Sequence, residues 1–242
     1  MADAATFIAK VQREVRPLDQ QITEHPFLET VTSGRATIEG LRAMPGHQFH
    51  ITESLIRSGE RLVERFGDTA SGPYFRRALA DKRQAARELL DFARALGMSK
   101  SDLRNYEPLP GGFSYAAYCA WLAEQGSAAE SALVAHVNLP VWGEACRRVS
   151  EGLQEFYGLG PTDTRVLDRF AMNPTREQFE AVAEIVQDAL DQGVPAADLA
   201  RAARLVQGYE KEFWDTMSKV DADYRAWPPV FHPIGARASH AA

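Results

Sequence analysis

Cysteine is nearly absent from this chain: only Cys119 and Cys146 occur, far apart and with no second pair. Such a pair is neither a disulfide framework nor a CxxC metal motif, and two buried thiols in a reducing compartment is the expectation. No run approaches the roughly 20 apolar residues that crossing a bilayer requires. The start, Met1-Ala2-Asp3-Ala4, is acidic and lacks a basic segment followed by an apolar one, so no secretory leader is expected and the cytoplasm is the expected location. Basic excess is also missing. The formal charge is −6, with both signs interspersed, which argues against nucleic acid or an anionic membrane as partner because each requires a basic face. There is no GxGxxG, no GxxxxGK[ST] and no GxSxG, so nucleotide cradles and nucleophile elbows have no signature here. HExxH, ExxH and HxxxDxxH metal strings are absent too. No segment alternates apolar and polar residues between turn signals, and no fixed period repeats.

What is present is helical periodicity. Apolar residues make up 45% of the chain and charged residues 25%, ordinary values for a domain with a sizeable core. Phe7, Val11, Val15, Leu18 and Ile22 recur at steps of three and four, one stripe along a first helix. A second helix is predicted from Thr37 toward Phe66, with Leu41, Met44, Ile51, Leu55 and Leu62 inward and a kink or restart at Pro45-Gly46. A third follows Gly72-Pro73 and ends at Leu96-Gly97. The stretch 98–112 reads as the one long irregular segment, followed by a helix carrying Tyr115, Tyr118, Trp121 and Leu122. Ser127-Ala-Ala-Glu130 and Thr175-Arg-Glu-Gln178 are capping boxes that open further helices, the first of which Pro140 should bend. The last long helix spans about Ala196 to Tyr224. Seven or eight helices without an internal linker make one all-α domain over residues 1–227. The tail, 228–242, is Pro-rich and then small and polar, the composition of a loosely ordered end.

Few residues in this pattern carry chemistry. His47 and His50, three apart, share a helix face with Ile51 and Ser54. They could give two ligands to a metal but need a third from elsewhere, so no metal or cofactor is expected; iron on these histidines would be the exception. Glu144 follows Trp142 just after Pro140. Glu210 lies on one side of the last helix with Phe213, Trp214 and Met217, and a carboxyl buried beside those rings would have a raised pKa suited to general acid or base work. Tyr115, Tyr118, Trp121, Trp142, Tyr209, Phe213 and Trp214 could line a cavity for a flat ligand or simply pack the core.

The run His25-Pro26-Phe27-Leu28 with Thr32-Ser33-Gly34, then Leu96-Gly97-Met98, the Tyr115–Leu122 helix and Tyr209-Glu210-x-x-Phe213-Trp214-Asp215 together resemble a known family. It is the one that includes thiaminase II (TenA) and the pyrroloquinoline-quinone synthase PqqC, within the haem-oxygenase-like superfamily. The resemblance covers roughly residues 5 to 224. It implies a haem-oxygenase-like helical bundle with a central pocket for a small, often aromatic, molecule, and a homodimer. It also implies that Glu210 matches the family's glutamate before the terminal Phe-Trp and that Tyr118 matches a pocket tyrosine. His47 and His50 occupy the places of the thiaminase aspartate and tyrosine. The nucleophilic cysteine has no counterpart, since the chain reads Leu139-Pro140-Val141-Trp142; Glu144 is a conceivable stand-in. At the ligand positions of the superfamily's diiron oxidases stand Ala78, Lys82 and Ala85, then Ala171, Thr175 and Gln178.

Three functions follow from this resemblance. The first is a metal- and cofactor-independent oxidoreductase like the quinone synthase, with His47, His50 and Glu210 moving protons around a flat substrate. The second is a thiaminase-like hydrolase of an aminopyrimidine that uses Glu210 with Glu144 or Tyr118. The third is a non-catalytic small-molecule binder. Tyr118, Trp121, Trp142, Tyr209, Phe213 and Trp214 are the expected substrate contacts in each case.

Overall fold

The computed structural model describes residues 3–172 and 174–226, and every regular element among them is an α-helix. In chain order these are α1 (Ala4–Thr23), α2 (Pro26–Thr32), α3 (Ile38–Phe66), α4 (Gly72–Ala95), α5 (Lys100–Arg104), α6 (Pro110–Gln125), α7 (Ala128–Phe156), α8 (Arg165–Phe170), α9 (Arg176–Asp191) and α10 (Ala196–Ala226). The segment 228–242, read from sequence as a loose tail, lies outside the described residues.

Local chemistry sets the boundaries. Thr37 caps α3 by accepting the Gly40 N–H, while Ser127 and Thr175 form the two expected capping boxes with Glu130 and Gln178. Gly97, with φ +75°, ends the α4 segment in the left-handed region where glycine is favoured. His25 caps α2: its Nδ1 accepts the Phe27 N–H, so Nε2 carries the proton and donates to Asp215 Oδ1 at 3.1 Å. The familiar His25-Pro26-Phe27 run is thus a clamp between the start of α2 and α10.

Two prolines expected to disturb helices do not end them. Helix α3 is a single element through Pro45 and α7 through Pro140. Pro45 is itself buried, and Gly46 leaves room for the Tyr106 ring, which lies 2.6 Å from where a Cβ would be. Packing on both sides outweighs the single hydrogen bond that each proline removes. The stretch 98–112 proves less irregular than its composition suggests, because the Ser99–Asp102 capping box opens the short α5 within it and Pro110 begins α6.

The main core gathers Phe27, Leu28, Met44, Phe92, Trp142, Leu153, Phe213 and Trp214 from α2, α3, α4, α7 and α10. A second core joins α1, α7, α9 and α10 through Ile8, Val11, Leu133, Val186 and Leu199. Helices α7 and α10 serve both, so their side chains are held from two sides. Glu210 is carried on one of these shared helices, and Asn138, the amide facing it, on the other.

Candidate active site

Glu210 projects from α10 into the interior and is 3% exposed. Its Oε1 accepts the Trp214 Nε1–H at 2.8 Å, and its Oε2 faces Asn138 Nδ2 at 3.5 Å. Burial pushes the carboxyl up to about 7, because lost hydration outweighs the two hydrogen bonds that favour the charged form. At neutral pH such a group is divided between acid and carboxylate, the condition in which one side chain can both take and give a proton. Among the described residues no basic side chain pairs with it. The titratable groups near it are Tyr115, Cys119 and Cys146, uncharged at neutral pH and each raised in pKa mainly by burial and secondarily by nearby groups that include Glu210. Cys119 is pushed up to about 11, so it stays a thiol and not a nucleophilic thiolate at neutral pH.

The carboxyl is oriented by a chain of amides. Asn138 Nδ2 also donates to Gln207 Oε1 at 3.1 Å, and Gln207 Nε2 donates to Asp19 Oδ1. The line Asp19–Gln207–Asn138–Glu210 therefore ties α1, α10 and α7 together across the interior. Sequence reasoning did not find Asn138, Gln207 or Asp19. Each is one polar residue on a helix, and only their meeting across three helices gives them a role. Lys82 of α4, close enough to Cys119 for the two to influence each other's titration, stands at a position where the diiron oxidases carry a metal ligand. Burial lowers its ammonium pKa.

Trp142, Phe213 and Trp214 form the aromatic wall next to this carboxyl. Trp142 lies 5.6 Å from Phe213 and 5.5 Å from Trp214, and Phe213 and Trp214 meet nearly edge-on at 5.1 Å. On its far side Trp142 borders a cavity of about 10 Å³ lined by Met44, Gln48, Ala85, Leu89 and Phe170. That space holds about one water, so a substrate there requires the surrounding side chains to move apart.

The other expected site residues go elsewhere. His47 is fully buried and its ring is saturated: Nε2 accepts the Leu109 N–H at 3.0 Å, which places the proton on Nδ1. Nδ1 donates to Ala43 O at 2.8 Å, with the Tyr106 hydroxyl at 3.0 Å. Burial lowers its pKa, so the ring is neutral, and it fastens the segment before α6 to α3. It meets the aromatic wall only through Phe213, 6.4 Å away at right angles. His50, one turn on, is half-buried, and its Nε2 is buried with no partner among the described residues. Glu144 faces solvent and is paired with Arg147 at 2.6 Å, which holds its pKa down. Tyr118, Trp121 and Tyr209 lie outside the wall, on a surface groove between α6 and α10. Among the described residues no three His, Cys, Asp or Glu side chains come together as a metal site, and no helix is long and apolar enough to cross a membrane.

The sequence profile of the TENA/THI-4/PQQC family matches residues 12–220. No curated protein matches the chain. Among solved structures it is similar to a TenA homologue from Pseudomonas syringae pv. tomato, at 13% identity and a TM-score of 0.73, covering 89% of this chain and 95% of that one. A TenA homologue from Pyrococcus furiosus is 19% identical with a TM-score of 0.68, covering 87% and 99%. A Shewanella denitrificans domain of unknown function, described as having a heme oxygenase-like fold, is 18% identical with a TM-score of 0.66, covering 90% and 93%. These likenesses carry the fold: an all-α, haem-oxygenase-like bundle, as the sequence motifs implied.

Proposed function

We propose, from the premise that this chain belongs to the TENA/THI-4/PQQC family, that it is a small-molecule hydrolase in which Glu210 is the acid–base catalyst. The reaction class is hydrolytic removal of an amine or formyl group from a heteroaromatic substrate such as an aminopyrimidine. The observation that carries this reading is the buried Glu210 carboxyl, poised near neutrality with no basic partner among the described residues. As carboxylate it takes a proton from water attacking the carbon that bears the leaving group. As acid it returns that proton to the departing nitrogen, leaving the carboxyl as it began. Trp142, Phe213 and Trp214 supply apolar faces for a flat ring, and neither thiol has the low pKa that covalent catalysis by cysteine needs.

Glu210→Gln keeps an oxygen to accept from Trp214 but cannot exchange a proton. Hydrolysis of an aminopyrimidine substrate should fall by about two to four orders of magnitude, the usual worth of a general acid–base group, with the helical circular dichroism intact. Unchanged turnover in a folded variant would exclude the reading. A general base near 7 also predicts that kcat/KM rises with pH through about 7 and then levels.

One observation favours a second reading, metal-free oxidation of a flat substrate: the Nε2 of His50 is buried with no partner among the described residues, which leaves that ring nitrogen open to a ligand. His47 gives that reading less support than its sequence position promised, since both its nitrogens are engaged. Oxygen uptake with peroxide release, lost in His50→Gln, would select this second reading. Full turnover without oxygen would select the first.

A further inference from the structure

A cavity of about 500 Å³ opens on the surface between α6 and α10, with Glu130 of α7 at its side. It is separate from the interior around Glu210, and the hydrolase reading makes no use of it. Three rings form its walls. Tyr118 and Trp121 stand nearly parallel, 5.9 Å apart with an interplanar angle of 11°, and Tyr209 leans on Tyr118 at 5.2 Å and 46°. Trp121 is nonetheless 53% exposed, unusual for the largest apolar side chain when nothing covers it.

The charges at the rim are unequal. Glu130 and Asp198 supply two carboxylates, and Arg201 is the one basic side chain in the lining. Arg201 is already paired with Asp198 at 2.8 Å. Glu130 accepts hydrogen bonds from Ser127 as a helix cap and still lines the groove; its charge raises the Tyr118 phenol, after burial, while Arg201 acts the other way. Electron-rich ring faces next to an excess carboxylate disfavour anions. They attract a cation that is itself greasy. The volume falls within the range of sites that take small organic ligands.

We propose that this groove binds a small organic cation, a quaternary ammonium, against the open faces of Trp121, Tyr118 and Tyr209 with Glu130 as the counter-charge. A fixed positive charge is the feature recognised. The ring faces replace part of its weak hydration, and the carboxylate answers the charge without a directional hydrogen bond.

The test is a calorimetric titration of the full chain with choline and with its neutral isostere 3,3-dimethyl-1-butanol, which has the same shape and no charge. Choline should bind about tenfold or more tighter than the isostere, the discrimination that cation–π attraction provides. Trp121→Leu and Glu130→Gln should each weaken choline binding by roughly five- to tenfold. Glu130→Gln keeps an oxygen to cap α7, and hydrolysis through Glu210 should be untouched in both variants, so failure here is distinguishable from failure of the hydrolase reading. Equal binding of the two probes would overturn the proposal by showing a merely apolar slot, and so would no binding of either. Concentration-dependent dimerisation that shields Trp121 from acrylamide quenching would overturn it as well, by assigning the groove to a second copy of the chain.

Discussion

Tyr209 and Glu210 are neighbours in sequence and belong to different sites. The 100° turn between successive helical residues sends Tyr209 to the groove outside α10. Glu210, Phe213 and Trp214, at positions i, i+3 and i+4, face the interior. In the interior the carboxyl is held by Trp214 and Asn138, the rings of Phe213 and Trp214 meet edge-on at 5.1 Å, and the cavity beside Trp142 is about 10 Å³. In the groove the rings are half-covered and the space is about 500 Å³. The same residue types therefore do different physical work. Inside, they remove water from one carboxyl and move its pKa. Outside, they offer faces to whatever arrives.

Substitutions should separate the two regions by size of effect. His47→Ala removes the acceptor for Leu109 N–H and the donor to Ala43 O from a fully buried ring. It should cost about 3–4 kcal/mol, combining a cavity with unpaired buried backbone groups, as measured by chemical denaturation. Glu210→Gln should have the opposite sign at high pH. A carboxyl whose pKa rises from 4.5 to about 7 on folding holds its proton more tightly in the native state. Wild-type stability is therefore highest below about 4.5 with respect to this group and falls as pH rises through about 7. The total loss is about 3 kcal/mol at 1.36 kcal/mol per unit. The glutamine variant should lack this decline, so denaturation at pH 5 and pH 8 separates the two proteins. Parallel pH dependence would remove the distinction between interior and surface carboxylates.

A smaller effect is expected at the contact that seats His47. A methyl group on Gly112 would lie 2.2 Å from the imidazole Cδ2, so Gly112→Ala should cost about 1–3 kcal/mol through overpacking. At the surface the effects should nearly vanish. Glu144→Gln should change stability by no more than about 0.5 kcal/mol. Glu144→Gln should also leave hydrolysis unchanged, because that carboxylate faces solvent and pairs with Arg147. A large loss of activity there would join the surface to the site and break the comparison.

Much of this was legible in the sequence. The stripe from Phe7 to Ile22, the caps at Thr37, Ser127 and Thr175, and the string ending in Phe213-Trp214-Asp215 marked the long helices, their order and the inward face of α10, but not the short α2, α5 and α8. Periodicity also placed Glu210 beside Trp214, because residues four apart on a helix are neighbours whatever surrounds them. It could not separate Tyr118, Trp121 and Tyr209 from Trp142, Phe213 and Trp214. That division depends on which helix packs against which face, information that no single helix contains. Asn138 and Gln207 were invisible for the same reason, and His47 looked chemically free because two of its partners are backbone groups, which leave no mark in a sequence, and the third, Tyr106, is 59 residues away. Pro45 starts no second helix, since local rules count the lost hydrogen bond and not the packing that compensates for it, and Pro140 lies inside a single α7, as its place in the sequence predicts.

The most direct test of the account asks whether the interior carboxyl is a proton carrier at neutral pH. Infrared difference spectra of wild type minus Glu210→Gln, recorded across the acid-to-neutral range, report the carbonyl stretch of one buried, protonated carboxyl. The account predicts that this band is full near pH 5, is lost with a midpoint near 7, and is absent in the variant. A carboxyl already ionised at pH 5 would contradict it, and with it the case for Glu210 as the acid–base group.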